Sequence, residues 1–360
     1  MGGGGTGGHV FPAIAIADAL KEKDPGMEIL FVGARGRLEM EKVPEAGYRI
    51  VGLPVAGFQR KWSWKNITFF LRLLISMIQS HRIVRRFDPH VAIGVGGYAS
   101  GPVLRAAAKR GVPMLIQEQN SYAGVTNRIL ARSARTICVA YDRMEQYFPA
   151  DRIVLTGNPV RRQLMRLPGD RQKDLEMFQL QEGKQVCLVL GGSLGARTIN
   201  QSIMEGLDRL KRDDLQVIWQ CGSQFYEEAE KMVREEAIKQ VRVYAFISEM
   251  DCAYNVADLI VSRAGAITIS ELCLVGKPVI LVPSPNVAED HQARNAEALV
   301  SRKAAIMIPD HLAREQLVDR MLKLIRDENH KEELSKNIKQ LGISDASERI
   351  AGEVIKIIKR

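Results

Sequence analysis

The chain has 360 residues, 46% hydrophobic and 26% charged, which excludes a disordered or fibrous protein and fits two α/β domains of about 150–200 residues each. Five cysteines (Cys138, Cys187, Cys221, Cys252, Cys273) are odd in number and form no CxxC pair, so a disulfide framework and a zinc site are disfavoured and a reducing cytoplasm fits. The net charge of +9 lies in the first part, where residues 1–160 hold 21 basic and 12 acidic side chains and the rest holds 30 of each. An anionic partner is therefore expected for the first domain alone.

Short apolar runs alternate with helical segments, the pattern of βα units and parallel sheets. The chain opens on the glycine run Gly2–Gly8, followed by a helix at Ala13–Lys23. No charged stretch leading into an apolar run stands there, so no signal peptide is expected. A phosphate-binding turn of this kind normally follows a buried strand, and only Met1 precedes it, so the first domain is expected to lack its first strand. Strands are predicted at Glu28–Val32, His90–Val95, Met114–Gln117 and Thr136–Ala140, with a helix at Ala99–Lys109. The stretch Leu155–Arg166, with Gly157 and Pro159, closes this set and divides the chain into domains at 1–157 and 158–360. Further strands are predicted at Gln185–Leu190, Gln216–Gln220, Val241–Phe246, Leu259–Ser262 and Val279–Val282. Helices are predicted at Thr198–Arg209 and Ser270–Val275, and the last, Ala346–Ile358, can pack on either domain, the first included.

Three glycine-rich turns each lead into a helix: Gly2–His9, Gly94–Pro102 and Gly191–Arg197. Glycine lets the backbone approach a ligand closely, and the helix N-terminus offers free N–H groups to a pyrophosphate. No Gly-Lys-Ser/Thr follows any of them, so a Walker A loop is excluded. After the first turn the next strand ends Phe31-Val32-Gly33-Ala34-Arg35 without an acidic residue to hold a ribose, which disfavours NAD. A nucleoside diphosphate sugar fits better. In the second half, Arg263 through Glu271 reads as strand end, turn and helix start. There Arg263 can supply positive charge, the N–H groups of Ala266 and Thr268 can face phosphate, and Glu271 can accept from ribose hydroxyls. The polar run Glu289–Ala296 suits sugar hydroxyls or simple capping.

Residues 58–86 interleave Trp62, Trp64, Phe69 and Phe70 with Arg72, Arg82, Arg85 and Arg86. The apolar length is well short of the ~20 residues a membrane-spanning helix needs, and an interfacial basic segment is expected.

Taken in order, the motifs resemble the MurG family of N-acetylglucosaminyltransferases. They are GGTGGH at Gly4–His9, GGYASGP at Gly96–Pro102, EQN and AGVTN within Glu118–Asn127, GNPVR at Gly157–Arg161, GGSLGAR at Gly191–Arg197, RAGAITISE at Arg263–Glu271 and DHQARNA at Asp290–Ala296. The resemblance implies an α/β chain of GT-B fold, two doubly wound Rossmann-like domains facing a cleft. It implies inverting transfer from UDP-GlcNAc to the 4-hydroxyl of the muramyl sugar of lipid I, giving lipid II for peptidoglycan, cell shape and division. His9 would be the general base. The donor would be held by Thr6, Gly7, Gly8, Asn120, Arg161, Ser193, Ile247 (through its backbone, to uracil), Ala266, Ile267, Thr268, Ile269, Ser270, Glu271 and Gln292. The acceptor pyrophosphate would be held by Gly4, Gly5, Gly96, Gly97, Tyr98 and Ser100.

No cofactor, metal or nucleic acid is implied, and no Asp-x-Asp motif is present. The implied partners are the two substrates, an anionic membrane surface and other proteins of cell-wall synthesis, at the cytoplasmic face of the inner membrane. Three other readings stand beside this one: a diacylglycerol glycosyltransferase, a UDP-GlcNAc 2-epimerase, and an inactive homologue lacking its first strand.

Overall fold

The computed structural model describes residues 1–4, 7–55, 65–161, 164, 167–192, 195–213, 215–287 and 290–359, with residues 65–70 as backbone alone. The chain divides into two compact units. One comprises Met1–Val160 with Ile343–Arg360, the other Arg161–Gly342.

In the first unit, β1 (Leu30–Ala34) pairs with β2 (Arg49–Leu53), and β3 (Ala92–Gly94), β4 (Met114–Glu118), β5 (Thr136–Val139) and β6 (Ile153–Leu155) follow one another, all parallel. The two sets meet across the first residues of the chain. Gly2 bridges in parallel both to Val32 of β1 and to Gly94 of β3. The Gly2 N–H donates to Ile93 O at 2.7 Å, and the Val32 N–H donates to Met1 O at 2.8 Å. The Met1 amino group donates to Leu30 O at 2.6 Å, and burial there lowers it to about 5. Met1–Gly3 thus holds the position before the glycine loop where the sequence pattern suggested no strand.

Around this sheet lie α1 (Gly7–Lys23), α2 (Glu39–Glu45), α3 (Lys65–Phe87), α4 (Ser100–Lys109) and α5 (Val125–Leu130). Met114, Leu115 and Ile116 of β4 are fully buried, as a strand covered on both faces requires. In the second unit the sheet is also parallel. Its strands are β7 (Val186–Leu190), β8 (Gln216–Gln220), β9 (Val241–Tyr244), β10 (Leu259–Ser262), β11 (Val279–Leu281) and β12 (Ile306–Met307), in spatial order β12-β11-β10-β7-β8-β9. Helices α6 (Arg171–Met177), α7 (Arg197–Glu205), α8 (Leu207–Arg212), α9 (Tyr226–Glu235), α10 (Met250–Val256), α11 (Ala266–Val275), α12 (His291–Val300), α13 (Ala313–Ile325) and α14 (Glu328–Lys339) enclose it. The last helix, α15 (Ala346–Ile358), returns to the first unit and packs Ile350, Val354 and Ile357 against Ile16 and Leu20 of α1.

The helix predicted at Thr198–Arg209 is instead two, parted at Gly206. A side chain there would collide with Val318 of α13, so the close approach of α13 excludes any larger residue. Strands β6 and β12 went unread because each is short and not buried, and β2 because only Leu53 at its end is buried.

Candidate active site

In a parallel α/β sheet, ligands bind beyond the carboxyl ends of the strands. At that edge of the first unit the two glycine loops interlock. Gly96 and Gly97 have φ of +90° and +83°. A side chain at Gly97 would strike Gly4 O, and one at Gly96 would press on the His9 ring, 3.0 Å from Cε1. Only glycine permits that approach. Ser100, fully buried at the start of α4, places its hydroxyl 2.8 Å from both Gly2 O and Gly96 O and so ties the loops together. Tyr98 is exposed beside them. Gly4 lies against the buried Glu39, which accepts from Ala34 N at the end of β1 (2.8 Å). Gly7 and Gly8 open α1, whereas Gly5 and Thr6 lie outside the described residues.

His9, half-buried in the first turn of α1, places Nδ1 3.1 Å from Gln119 Oε1. The Gln119 Nε2 donates to Val95 O at 2.8 Å and also to Gln117 Oε1. Gln117 in turn donates to Asn158 Oδ1 at 2.9 Å, and Asn158 Nδ2 donates to Gln119 O at 3.0 Å. The neighbouring Glu118 is 2% exposed and organises the next turn. Its Oε1 accepts from the Asn120 backbone N–H, and its Oε2 accepts from Gly124 N and from Asn127 Nδ2 (2.8 Å). Asn120, expected at the donor, therefore stands in the first unit with its amide also against Glu118. The structural parts of Gln117, Gln119 and Asn158 were not read from the sequence. The available signal was the spacing of Gln117 and Gln119, which in extended chain places them on one face.

In the second unit, Glu271 sits in α11 with 2% exposure. The Arg161 Nε lies 2.9 Å from its Oε1, an ion pair by distance but not aligned as a hydrogen bond, so Oε1 is a buried acceptor without a hydrogen-bond partner among the described residues. Burial pushes the Glu271 carboxyl up, and the Arg161 cation and the Tyr254 hydroxyl draw it back part of the way. Burial likewise pushes up the Tyr254 hydroxyl on α10, with the Glu271 charge adding to it. Tyr254 was missed in the sequence because nothing local marks it. Ala266, Ile267, Thr268, Ile269 and Ser270 form the first turns of α11 behind Gly265, and the N–H groups of Ala266, Ile267 and Thr268 precede the first intrahelical bond, from Ile269 N to Gly265 O at 2.9 Å.

Gln292 Oε1 accepts from Ser284 N (2.8 Å) and Ala264 N (3.2 Å), joining the loops after β10 and β11. The Ile247 N–H donates to Gln220 Oε1 at 2.9 Å, so this backbone donor is already engaged within the fold. Ser193 lies outside the described residues. The Arg263 guanidinium, expected to supply charge to a phosphate, donates through Nη1 to Val282 O, Pro283 O and Asp310, and so anchors the loop after β11.

Among the described residues no cluster of histidine, cysteine and carboxylate side chains is built to hold a metal ion. Burial pushes the thiols up, Cys221 to about 11 and Cys138 to about 12, which removes them as nucleophiles at neutral pH.

The outer face of α3 is unusual. Leu71, Leu74, Ile75 and Ile78, spaced i, i+3, i+4 and i+7, are exposed, while Ser76, Ser80 and Val84 are buried. The apolar stripe therefore faces out and the serines face in. Arg72, Arg82, Arg85 and Arg86 are exposed on the same helix. A groove of about 500 Å³ runs beside it, lined by Leu73, Met77, Tyr98, Pro102, Arg105 and Ile129 among others. Trp62, Trp64 and the side chains of Phe69 and Phe70 lie outside the described residues. Among those described, no helix is long and apolar enough to cross a membrane.

The chain was compared with known proteins. The glycosyltransferase family 28 N-terminal domain matches residues 1–139, and the C-terminal domain of that family matches residues 186–350. A UDP-N-acetylglucosamine--N-acetylmuramyl-(pentapeptide) pyrophosphoryl-undecaprenol N-acetylglucosamine transferase of Parabacteroides distasonis is 54% identical over 360 residues, covering 100% of this chain and 98% of the relative. The protein of the same name from Flavobacterium psychrophilum is 48% identical over 359 residues, covering 100% of this chain and 97% of that one. Among solved structures, MurG of Acinetobacter baumannii superposes with a TM-score of 0.81 at 28% identity, over 99% of this chain and 98% of the other. These glycine loops, the buried Glu271 and the paired parallel sheets therefore stand in a chain that belongs to glycosyltransferase family 28 and, within it, to the MurG family of N-acetylglucosaminyltransferases, with the GT-B fold.

Proposed function

We propose that the chain transfers N-acetylglucosamine from UDP-GlcNAc to the 4-hydroxyl of the muramyl sugar of lipid I, with inversion at the anomeric carbon, while docked on the cytoplasmic face of an anionic membrane. The observation that carries the reading is the 54% identity, over the full chain, to a relative whose name states this transfer. The chemistry of the residues supports it. His9 Nε2 takes the proton of the acceptor hydroxyl as the new bond to the anomeric carbon forms. The UDP oxygen leaves as an anion, stabilised by the N-terminal N–H groups of α11. The Glu271 carboxylate accepts from the ribose hydroxyls, which would add aligned hydrogen bonds to an oxygen held by the Arg161 ion pair. The glycine loops Gly4–Gly8 and Gly96–Ser100 hold the acceptor pyrophosphate through backbone N–H groups. The outward apolar stripe of α3, with Arg82, Arg85 and Arg86, lies at the lipid headgroups, which suits an acceptor carried on a membrane lipid.

The test is transfer of labelled N-acetylglucosamine from UDP-GlcNAc to a short-chain lipid I analogue, in the presence of EDTA. Transfer is expected in the wild type. In His9→Ala it should fall about 10²–10⁴-fold with UDP-GlcNAc binding retained. Transfer that goes to diacylglycerol and not to the lipid I analogue would refute the acceptor assignment. Full transfer by His9→Ala would refute the base.

A further inference from the structure

We propose that Gln119 is a positioning residue that locks His9 in the tautomer protonated on Nδ1, with Gln117 and Asn158 setting the direction of the lock. The proposal rests on the reading of His9 as the base, because its consequence is that Nε2 is the nitrogen left to take the acceptor's proton.

The distance between His9 Nδ1 and Gln119 Oε1, 3.1 Å, does not by itself say which group donates. An imidazole nitrogen donates or accepts according to tautomer, and an amide can be turned end for end. The surrounding groups decide. Gln119 faces Val95 O on its other side at 2.8 Å. A backbone carbonyl only accepts, so the NH₂ end of Gln119 must lie there and its oxygen must lie toward His9. An amide oxygen only accepts, so His9 Nδ1 must carry the hydrogen.

A second fixed point gives the same sense. Asn158 Nδ2 donates to the carbonyl of Gln119 at 3.0 Å, which turns the Asn158 oxygen toward Gln117. Gln117 donates to that oxygen at 2.9 Å, and its own oxygen then receives the Gln119 Nε2. Direction therefore passes from Asn158 through Gln117 and Gln119 to the ring. Reversing one amide would set donor against donor, or oxygen against oxygen, at its contacts. Gln117, Gln119 and Asn158 are 0%, 1% and 2% exposed, so water could not relieve the mismatch.

The fold supplies the geometry. Gln117 lies in β4 and Gln119 just beyond it, Val95 follows β3, and Gly157, with φ of +80°, turns the chain after β6 so that Asn158 enters the same layer. His9 is brought over this layer by the start of α1.

The experiment uses the intact protein labelled with [¹⁵N]histidine, with the His9 signals assigned by their loss in His9→Gln. Above the titration of the ring, the long-range ¹H–¹⁵N pattern of the wild type is expected to show Nδ1 protonated and Nε2 as the bare, pyridine-type nitrogen. The opposite pattern, or an even mixture, would overturn the lock. In Gln119→Leu the His9 ring should shift toward the Nε2-protonated form, and kcat should fall about 10- to 100-fold, as for loss of comparable supporting partners, with KM for UDP-GlcNAc unchanged. Gln119→Glu keeps an acceptor oxygen toward Nδ1 but sets its second oxygen against Val95 O, so it should retain the wild-type tautomer while kcat stays reduced. An unchanged tautomer or an unchanged kcat in Gln119→Leu would also overturn the proposal. If Gln119→Leu does not fold, the wild-type spectrum alone decides. A wild-type spectrum with the expected tautomer beside a fully active His9→Ala would sink the base assignment and leave the lock standing as a structural fact.

Discussion

Glu271→Gln separates what the buried carboxylate costs the fold from what it contributes to binding. The carboxylate is 2% exposed, and burial pushes its pKa up despite Arg161 and Tyr254. In the folded state its charged form is thus disfavoured relative to the unfolded chain. Its contribution to stability is fully present below the unfolded pKa and is lost as pH rises through the raised folded pKa. At neutral pH the wild type carries that cost and the glutamine variant does not. Arg161, whose side chain is 48% exposed, can return to solvent once the charge is gone, so little is lost on its side. The balance predicts a variant more stable by about 1 kcal/mol at pH 7.5, or about 2–4 °C in Tm for a unit of this size. The gain should vanish toward pH 4.5.

Donor binding should move the other way. A carboxylate holding two ribose hydroxyls makes charge-assisted bonds, and exchange for a neutral amide that can accept only through one oxygen should cost about 1.5–3 kcal/mol, or roughly 10- to 150-fold in Kd for UDP-GlcNAc. For the wild type the affinity should also weaken as pH falls through the raised pKa, because protonation removes the acceptor. In the variant that dependence should be absent. Thermal unfolding from pH 4.5 to 8 and titration calorimetry with UDP-GlcNAc over the upper part of that range test both halves. A variant that is less stable at pH 7.5 and binds UDP-GlcNAc like the wild type would refute the reasoning at both points.

Three other outcomes follow from the same geometry. Asn200→Ala should destabilise the second unit by about 2–5 kcal/mol, because it strips partners from the buried Trp219 Nε1 (3.0 Å) and from Cys221 O (2.8 Å), as denaturant unfolding would measure. Gly97→Ala and Gly111→Ala both place a side chain at positive φ. Only the first also collides with backbone, at Gly4, so Gly111→Ala should cost about 1–2 kcal/mol and Gly97→Ala clearly more, with transfer lost in Gly97→Ala alone. Leu74→Gln with Ile78→Gln should leave stability within about 0.5 kcal/mol per site, since both side chains are exposed, yet lower partitioning onto anionic vesicles at least tenfold in a sedimentation assay.

The sequence reads well where one segment carries its own signal. The short apolar runs that open β4 and fill most of β7 and β10 fit strands covered on both faces, and each emerges where its pattern puts it. The half-exposed β2 carries no comparable run, and its pairing depends on β1 lying beside it. The α3 segment shows the same limit from another side. Its composition marks an amphipathic basic helix, but which stripe turns inward is settled by α4, which admits Ser76 and Ser80 and leaves the leucines outside.

The candidate site divides along the same line. Glycine loops and Glu271 are legible because a motif states residue types at a fixed local spacing. The groups that give those residues their chemistry are not local. Gln119 reaches His9 across 110 positions, and Asn158 reaches Gln119 across another 39. Tyr254 meets Glu271 from a different helix. A tautomer or a raised carboxyl is a property of such pairs, set by burial and by the direction of a hydrogen bond, so it becomes visible only when the fold has brought the distant partner to within bonding distance. For this chain the motif marks the proposed base and the proposed ribose acceptor, while Gln119 orients the one and burial, opposed by Arg161, sets the charge state of the other.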